Sequence, residues 1–194
     1  MPRQAKRLPV YPTLADVHRV MDACQHARDR MLVWLLWVTG ARVSEVIALR
    51  AGDVLPEGIR APNLKQRQQA DKLIMLPPAL LAELREYANG MPPTQPLIGR
   101  LHQPHKPISR KLAWRIVTEA GRRAGVLKLR SNRDELRPPW PHAYRHGNAV
   151  HMLASGVPVN AVRQQLGHST LASTAIYLDI ADPERRHAIA GVQY

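Results

Sequence analysis

The sequence predicts an α+β fold, mainly α-helical with one small antiparallel β-sheet. Most of the chain carries apolar residues at helical spacing, opened by capping residues and closed by glycine or proline. Between Gly52 and Pro77 the period changes, and Leu73 to Leu76 reads as a strand. No internal repeat or low-complexity tract interrupts the 194 residues, enough for one domain with a proper core.

The elements follow in order. Residues 1–12, with Arg3, Lys6 and Arg7, read as a basic arm. Thr13 and Asp16 have the spacing of a capping box, opening a helix with Leu14, Val17 and Met21 inward. Asp29 to Val38 is almost continuously apolar and predicts a buried helix stopped by Gly40. Val43 to Leu49 predicts another helix, with Arg42 at its entrance, and Leu80 to Tyr87 a further one. Gly90 to Pro107 holds Pro92, Pro93, Pro96, Pro104 and Pro107 and reads as a loop or short linker. Ser109 caps a helix with Leu112, Ile116, Val117 and Ala120 on one face and Arg110, Arg115, Arg122 and Arg123 mostly elsewhere. Lys128 to Pro141 reads as a basic, proline-bearing loop. Arg145 to Ser155 predicts a helix closed by Gly156, and Pro158 starts one capped by Gly167. A short helix from Ser169 or Thr170 carries Tyr177, and Pro183 to Ile189 forms the last.

Composition narrows the partners. A net charge of +13 and a pI near 10.8 point to a polyanion. Twelve Lys or Arg against three acids between Arg100 and Arg145 place +9 of that charge in one stretch. Nucleic acid fits this clustering better than a membrane surface, because no amphipathic anchor accompanies it. The apolar run Met31 to Val38 is too short to span a bilayer, and the charged start lacks the apolar stretch of a signal peptide. The one cysteine, Cys24, cannot form an internal disulfide, so a reducing cytoplasm is expected.

The chemistry concentrates in two fragments. One is Thr39-Gly40-Ala41-Arg42-Val43-Ser44-Glu45, followed by Leu49-Arg50. The other runs from His142-Ala143-Tyr144-Arg145-His146, through Leu166-Gly167-His168-Ser169, to Ile176-Tyr177. Two arginines, two histidines and a tyrosine suffice to break a phosphodiester without metal. Arginine neutralises the non-bridging oxygens through its planar fork. Histidine moves or holds protons, and tyrosine carries a covalent intermediate. Glu45, one turn past Arg42, reads as the group that holds that guanidinium. His142 and His146 also have the i, i+4 spacing of a zinc pair, with His102 and His105 as a second. No cysteine or acid stands nearby in a metal-like pattern, so no metal and no other cofactor is expected.

In order and spacing these blocks resemble the tyrosine recombinases, the family of phage integrases, integron integrases and chromosome-dimer resolvases. Arg145 and His168 are 23 residues apart, and Tyr177 follows nine later. Leu73-Ile74-Met75-Leu76-Pro77 fits the segment that follows the family's β-hairpin, and Tyr144 stands where leucine is usual. The likeness runs from about Thr13 to about Pro183. It implies Tyr177 as nucleophile, with Arg42, Arg145, His142 and His168 at the phosphate, and Glu45 in support. It also implies a hairpin lysine that protonates the leaving 5′ oxygen. Lys65, 23 residues after Arg42, is the first choice, although the usual flanking glycines are missing. Counting back from Met75-Leu76 puts Arg67 in that register, and Lys72 is the fallback.

The implied reaction is transesterification through a 3′-phosphotyrosine, needing neither ATP nor Mg²⁺ and no small-molecule substrate. Four protomers on a DNA synapse would exchange the segment after about Asp179. Residues 13–194 would be the catalytic domain, and the chain would be either a short recombinase without the N-terminal clamp of most members or a fragment of a longer protein. Affinity would then rest on one face of the duplex and depend steeply on salt. Arg110, Lys111 and Arg115 are the candidates for DNA contact. Two other readings stay open: a DNA-binding protein of this fold without activity, and an unrelated basic protein that binds RNA.

Overall fold

The computed structural model describes residues 10–62, 71–129 and 135–167. Its first helix, α1 (Leu14–Asp22), opens on the expected capping box. The Thr13 hydroxyl accepts from the Asp16 amide at 3.2 Å, and the Asp16 carboxylate accepts from the Thr13 amide at 2.9 Å. Asp16 is buried yet fully engaged, because Arg19 reaches it at 2.6 Å and Lys128 at 2.5 Å. Burial raises the Asp16 carboxyl, but the hydrogen bonds from Lys128, Thr13 and Arg19 outweigh it and hold the group below the ordinary carboxylate range.

Helix α2 (Ala27–Thr39) is the central element, packed against α1, α5 and α6. Leu32, Val33, Leu35 and Leu36 are buried on every side of it, as its unbroken apolar run requires. Gly40 ends it with φ 56°, a left-handed conformation. Space forces glycine there as well. A Cβ would lie 2.5 Å from Asn148 Oδ1 and 2.6 Å from Leu166 Cδ2.

Helix α3 (Val43–Val46) is shorter than the predicted Val43 to Leu49. Ala48 and Leu49 donate to the carbonyls of Glu45 and Val46, three residues back, so the helix tightens and stops. The chain then turns outward, Arg50 bridges to Pro96, and Leu49 accepts from the Leu97 amide. A 3₁₀ turn (Ala51–Asp53) leads to β1 (Gly58–Ala61), which pairs antiparallel with β2 (Lys72–Met75). Ala61 faces Lys72 and Gly58 faces Met75 across the ladder. Ile59, Ala61 and Ile74 point into the core, while Arg60, Leu73 and Met75 point outward. Helix α4 (Pro78–Ala88) follows, with proline in its first turn.

Two predicted loops contain strands instead. Within the proline-rich stretch, β3 (Gly99–Arg100) pairs antiparallel with β4 (Gln103–Pro107), an exposed two-stranded hairpin whose edges tolerate Pro104 and Pro107. Within the basic stretch, β5 (Lys128–Leu129) pairs with β6 (Leu136–Arg137). The sheet content is therefore three small antiparallel pairs among the described residues, where one sheet was expected.

Between those hairpins lies α5 (Arg110–Arg123), capped by Ser109 as predicted. Helix α6 (Pro141–Ala154) begins four residues before the predicted start at Arg145, because Pro141 takes the first helical position, where its missing N–H costs nothing. Arg145 is thus one turn inside the helix, not at its entrance. Helix α7 (Val159–Leu166) ends on left-handed Gly167. Ala149, Val150, Val162 and Leu166 form a second core between α6 and α7, separate from the main one around α2.

Two stability measurements check these assignments. Gly40→Ala is expected to lower the urea midpoint by the equivalent of about 1–2 kcal/mol from the left-handed backbone alone, and further from the clash. Asp16→Asn tests the buried carboxylate. Its folded pKa is depressed, so the stabilisation is fully present above the unfolded value near 3.9 and lost as pH falls below it. Wild type should exceed the variant by about 1–3 kcal/mol at pH 7, and the gap should close in acid.

Candidate active site

Arg42 stands at the N-cap of α3, where an extended backbone (φ −69°, ψ 148°) turns it toward Glu45. The Arg42 amide donates to Glu45 Oε2 at 2.9 Å, and its Nη1 donates to Oε1 at 2.7 Å. Glu45 is buried, whereas the Arg42 side chain remains about a third exposed, 34%. The carboxylate therefore fixes one edge of the guanidinium and leaves the group accessible from solvent.

Arg145 is held differently. It is buried, with Nη1 donating to the Gly40 carbonyl at 2.8 Å and Nη2 to the Leu166 carbonyl at 2.9 Å. These carbonyls mark the C-terminal ends of α2 and α7, where the helix dipoles favour a cation. His142 lies one turn earlier on α6 and keeps contact with solvent. Its ring meets that of His146 edge-on at 4.5 Å. Partial burial, then the charges of Arg145 and Arg42, push the His142 imidazole below its ordinary pKa. The shift favours the neutral form, which can accept a proton.

Lys72, the first residue of β2, joins the same cluster. Its Nζ lies 3.6 Å from Glu45 Oε2 and donates to the carbonyls of Gln165 and Leu166 at 3.5 and 3.4 Å. Burial lowers the Lys72 pKa; Glu45 opposes this, and Arg145 and Arg42 reinforce it. Burial raises the Glu45 carboxyl, but Lys72 and the backbone and side chain of Arg42 leave it below the ordinary value. Among the described residues, Arg42 and Lys72 thus face the Glu45 carboxylate, with the charge of Arg145 acting on Lys72 and His142 beside them. Such a surface is suited to a phosphodiester.

Four sequence-predicted residues are brought together: Arg42, Glu45, His142 and Arg145. Lys72, the fallback lysine, is brought to them as well. Lys65, His168 and Tyr177 lie outside the described residues. Arg110, Lys111 and Arg115 are exposed on α5, and Arg115 approaches Glu119 at 4.0 Å. None of the three shares a hydrogen bond or ion pair with the cluster among the described residues. Tyr144 is wholly buried, and the Tyr87 hydroxyl donates to the Leu97 carbonyl at 2.9 Å, so both are structural. His151 stacks near Trp37 at 5.6 Å.

Residue reasoning missed how Lys72 is used, although a signal existed. Strand alternation puts Lys72 on the inward face with Ile74, an unusual place for an ammonium. A cleft of about 650 Å³ lined by Trp114, Thr118, Arg122, Leu136 and Trp140 holds none of the cluster. A polymer substrate approaching an open surface needs no such cavity. Among the described residues, no three His, Cys, Asp or Glu side chains are arranged to hold a metal ion, and no helix is long and apolar enough to cross a membrane.

Known proteins share this arrangement of sequence and fold. The chain is 32% identical over 209 residues to tyrosine recombinase XerD of Corynebacterium glutamicum, covering 98% of this chain and 63% of that protein. It thus spans less than two thirds of the curated relative's length. The crystal structure of XerA recombinase superposes with a TM-score of 0.73 at 23% identity, over 100% of this chain and 68% of that one. A lambda integrase tetramer bound to a Holliday junction gives 0.67 at 16% identity, over 100% of this chain and 52% of that one. These two establish likeness of fold. The family model described as Phage integrase family matches residues 12–184, nearly the whole sequence, and on that match the chain belongs to the phage integrase family, the tyrosine recombinases.

Proposed function

We propose that this chain cuts and rejoins double-stranded DNA at specific sites, acting as a recombinase through a 3′-phosphotyrosine. The observation that carries the reading is the convergence of Arg42, Lys72, Arg145 and His142 from three separate elements, α3, β2 and α6, with the buried Glu45 carboxylate against Arg42 and Lys72. In this reading the two arginines bind the non-bridging oxygens and offset charge that builds up in the transition state. The Tyr177 oxygen attacks phosphorus as its proton passes to a neutral histidine, His142 or His168. The bond from phosphorus to the 5′ oxygen breaks, and Lys65 is assigned to protonate that oxygen. A 5′-hydroxyl of the partner strand then attacks the phosphotyrosine and releases Tyr177.

Bond energy stays in the protein–DNA link, so the proposed reaction calls for no nucleotide or metal. Residues 13–194 are assigned to the catalytic domain, and Arg110, Lys111 and Arg115 to contact with the duplex. The relatives' fold supports four copies of the chain on two duplexes, as in the lambda integrase tetramer bound to a Holliday junction.

Trapping on nicked duplex in EDTA tests the reading. Wild-type protein is expected to form an SDS-resistant adduct, and Tyr177→Phe to bind the same DNA without one. Binding by both proteins with no adduct from either would instead support a DNA-binding protein without activity. Arg42→Lys keeps the charge but loses the fork. Single-turnover cleavage should fall by about 10²–10³-fold, with duplex affinity changed far less.

A further inference from the structure

Lys72 sits where a lysine is costly. Its strand neighbours on the inward face are Ile59, Ala61 and Ile74, all without solvent contact, and only 19% of its own side chain is exposed. A desolvated ammonium persists in such a place only when its donors are taken up. It has three N–H groups and three acceptors: Glu45 Oε2, the Gln165 carbonyl and the Leu166 carbonyl. All three lie between 3.4 and 3.6 Å, so the charge is shared among them rather than committed to one partner.

A second tie runs the same way. Gln165 Nε2 donates to the Met75 carbonyl at 3.0 Å, so β2 grips the last turn of α7 at two points. Lys72 also flanks the turn that follows, since a Cβ on Gly167 would lie 3.5 Å from its Nζ. Arg145 shares the Leu166 carbonyl with it. The next residue in sequence after Gly167 is His168.

We propose that Lys72 is a positioning residue: its ammonium bridges the Glu45 carboxylate to the end of α7, holding the chain that enters His168 in register with Arg42 and Arg145. The inference rests on the strand-transfer reading above and adds to it. Its ammonium faces three protein acceptors at 3.4 to 3.6 Å and only 19% of the side chain is exposed, so it is turned to the frame rather than to a leaving oxygen. It acts through Glu45 and α7, not on DNA.

The test compares Lys72→Met, Lys72→Arg and Lys72→Gln on nicked duplexes whose leaving group is either the normal 5′ oxygen or a 5′ sulfur, which departs without a proton. Lys72→Met is expected to cleave both substrates about 10–100-fold more slowly, and Lys72→Arg to recover most of the loss. The acid limb of the Lys72→Met cleavage profile should move to higher pH, because Glu45 keeps Arg42 but loses its other cation. Hydrogen exchange at the amides of residues 164–167 should quicken in Lys72→Met and Lys72→Gln, with α2 unchanged. If the 5′-sulfur substrate restores Lys72→Met to the wild-type rate, Lys72 is a proton donor and the proposal is overturned. Unchanged cleavage overturns it too. Exchange that stays at the wild-type rate also overturns it, even where wild-type protein forms no adduct. The lack of a wild-type adduct by itself overturns only the recombinase reading.

Discussion

The buried guanidinium of Arg145 is the constraint on which the site depends. It is anchored on α6, and hydrogen bonds from its Nη1 and Nη2 reach the carbonyls that close α2 and α7. Three helices are thereby fixed relative to one another by one rigid, permanently charged group. A lysine could not replace it, because a single ammonium does not span two carbonyls in a fixed plane. The glycine at position 40 follows from the same contact. Its carbonyl can face Arg145 only if α2 stops in a left-handed turn, and only a residue without Cβ fits against Asn148 and Leu166.

Electrostatics set what the cluster can bind. Among the described residues, Glu45 is the carboxylate that faces Arg42 and Lys72, and both Lys72 and His142 are pushed toward their neutral forms. The repulsion is offset by the C-terminal carbonyls of α2 and α7, which supply partial negative charge without adding a competing carboxylate. An anion brought into this field is attracted by the charges of Arg42, Lys72 and Arg145. A phosphodiester is the anion of matching charge and geometry, as its non-bridging oxygens accept the paired donors of an arginine fork.

Local signals made much of the fold legible. The capping box at Thr13, the apolar run of α2, the Ser109 cap and the glycines after α2 and α7 each depend on residues within a turn of one another, and each is found as read. The misses share the opposite property. The β3–β4 and β5–β6 pairs are two to five residues long and rest on cross-strand bonds that no periodicity announces. Helix α3 is cut short by a bridge to Pro96, 46 residues beyond Arg50. At the site, Arg42, Glu45, His142 and Arg145 were legible because motif order marked them and Glu45 lies within one turn of Arg42. The use of Lys72 was not, since its carbonyl partners lie 93 and 94 residues away along the chain.

On the proposed reading, two lysines divide one hairpin. Lys65 falls between the strands, in a stretch lacking the glycines that would let it turn tightly, whereas Lys72 begins the strand that returns. A side chain on the return strand has its direction set by the pleat, and Lys72 is directed inward with Ile74. Inward direction suits a fixed bridge and denies access to a substrate that approaches from solvent. Proton donation to a leaving oxygen needs the reverse: a flexible ammonium, reachable from the DNA and not saturated by protein acceptors. The two demands cannot be met by one residue. On the proposed reading, with Lys72 serving the frame, the proton for the leaving oxygen would come from elsewhere, and the connection between β1 and β2 is where the sequence offers a second lysine.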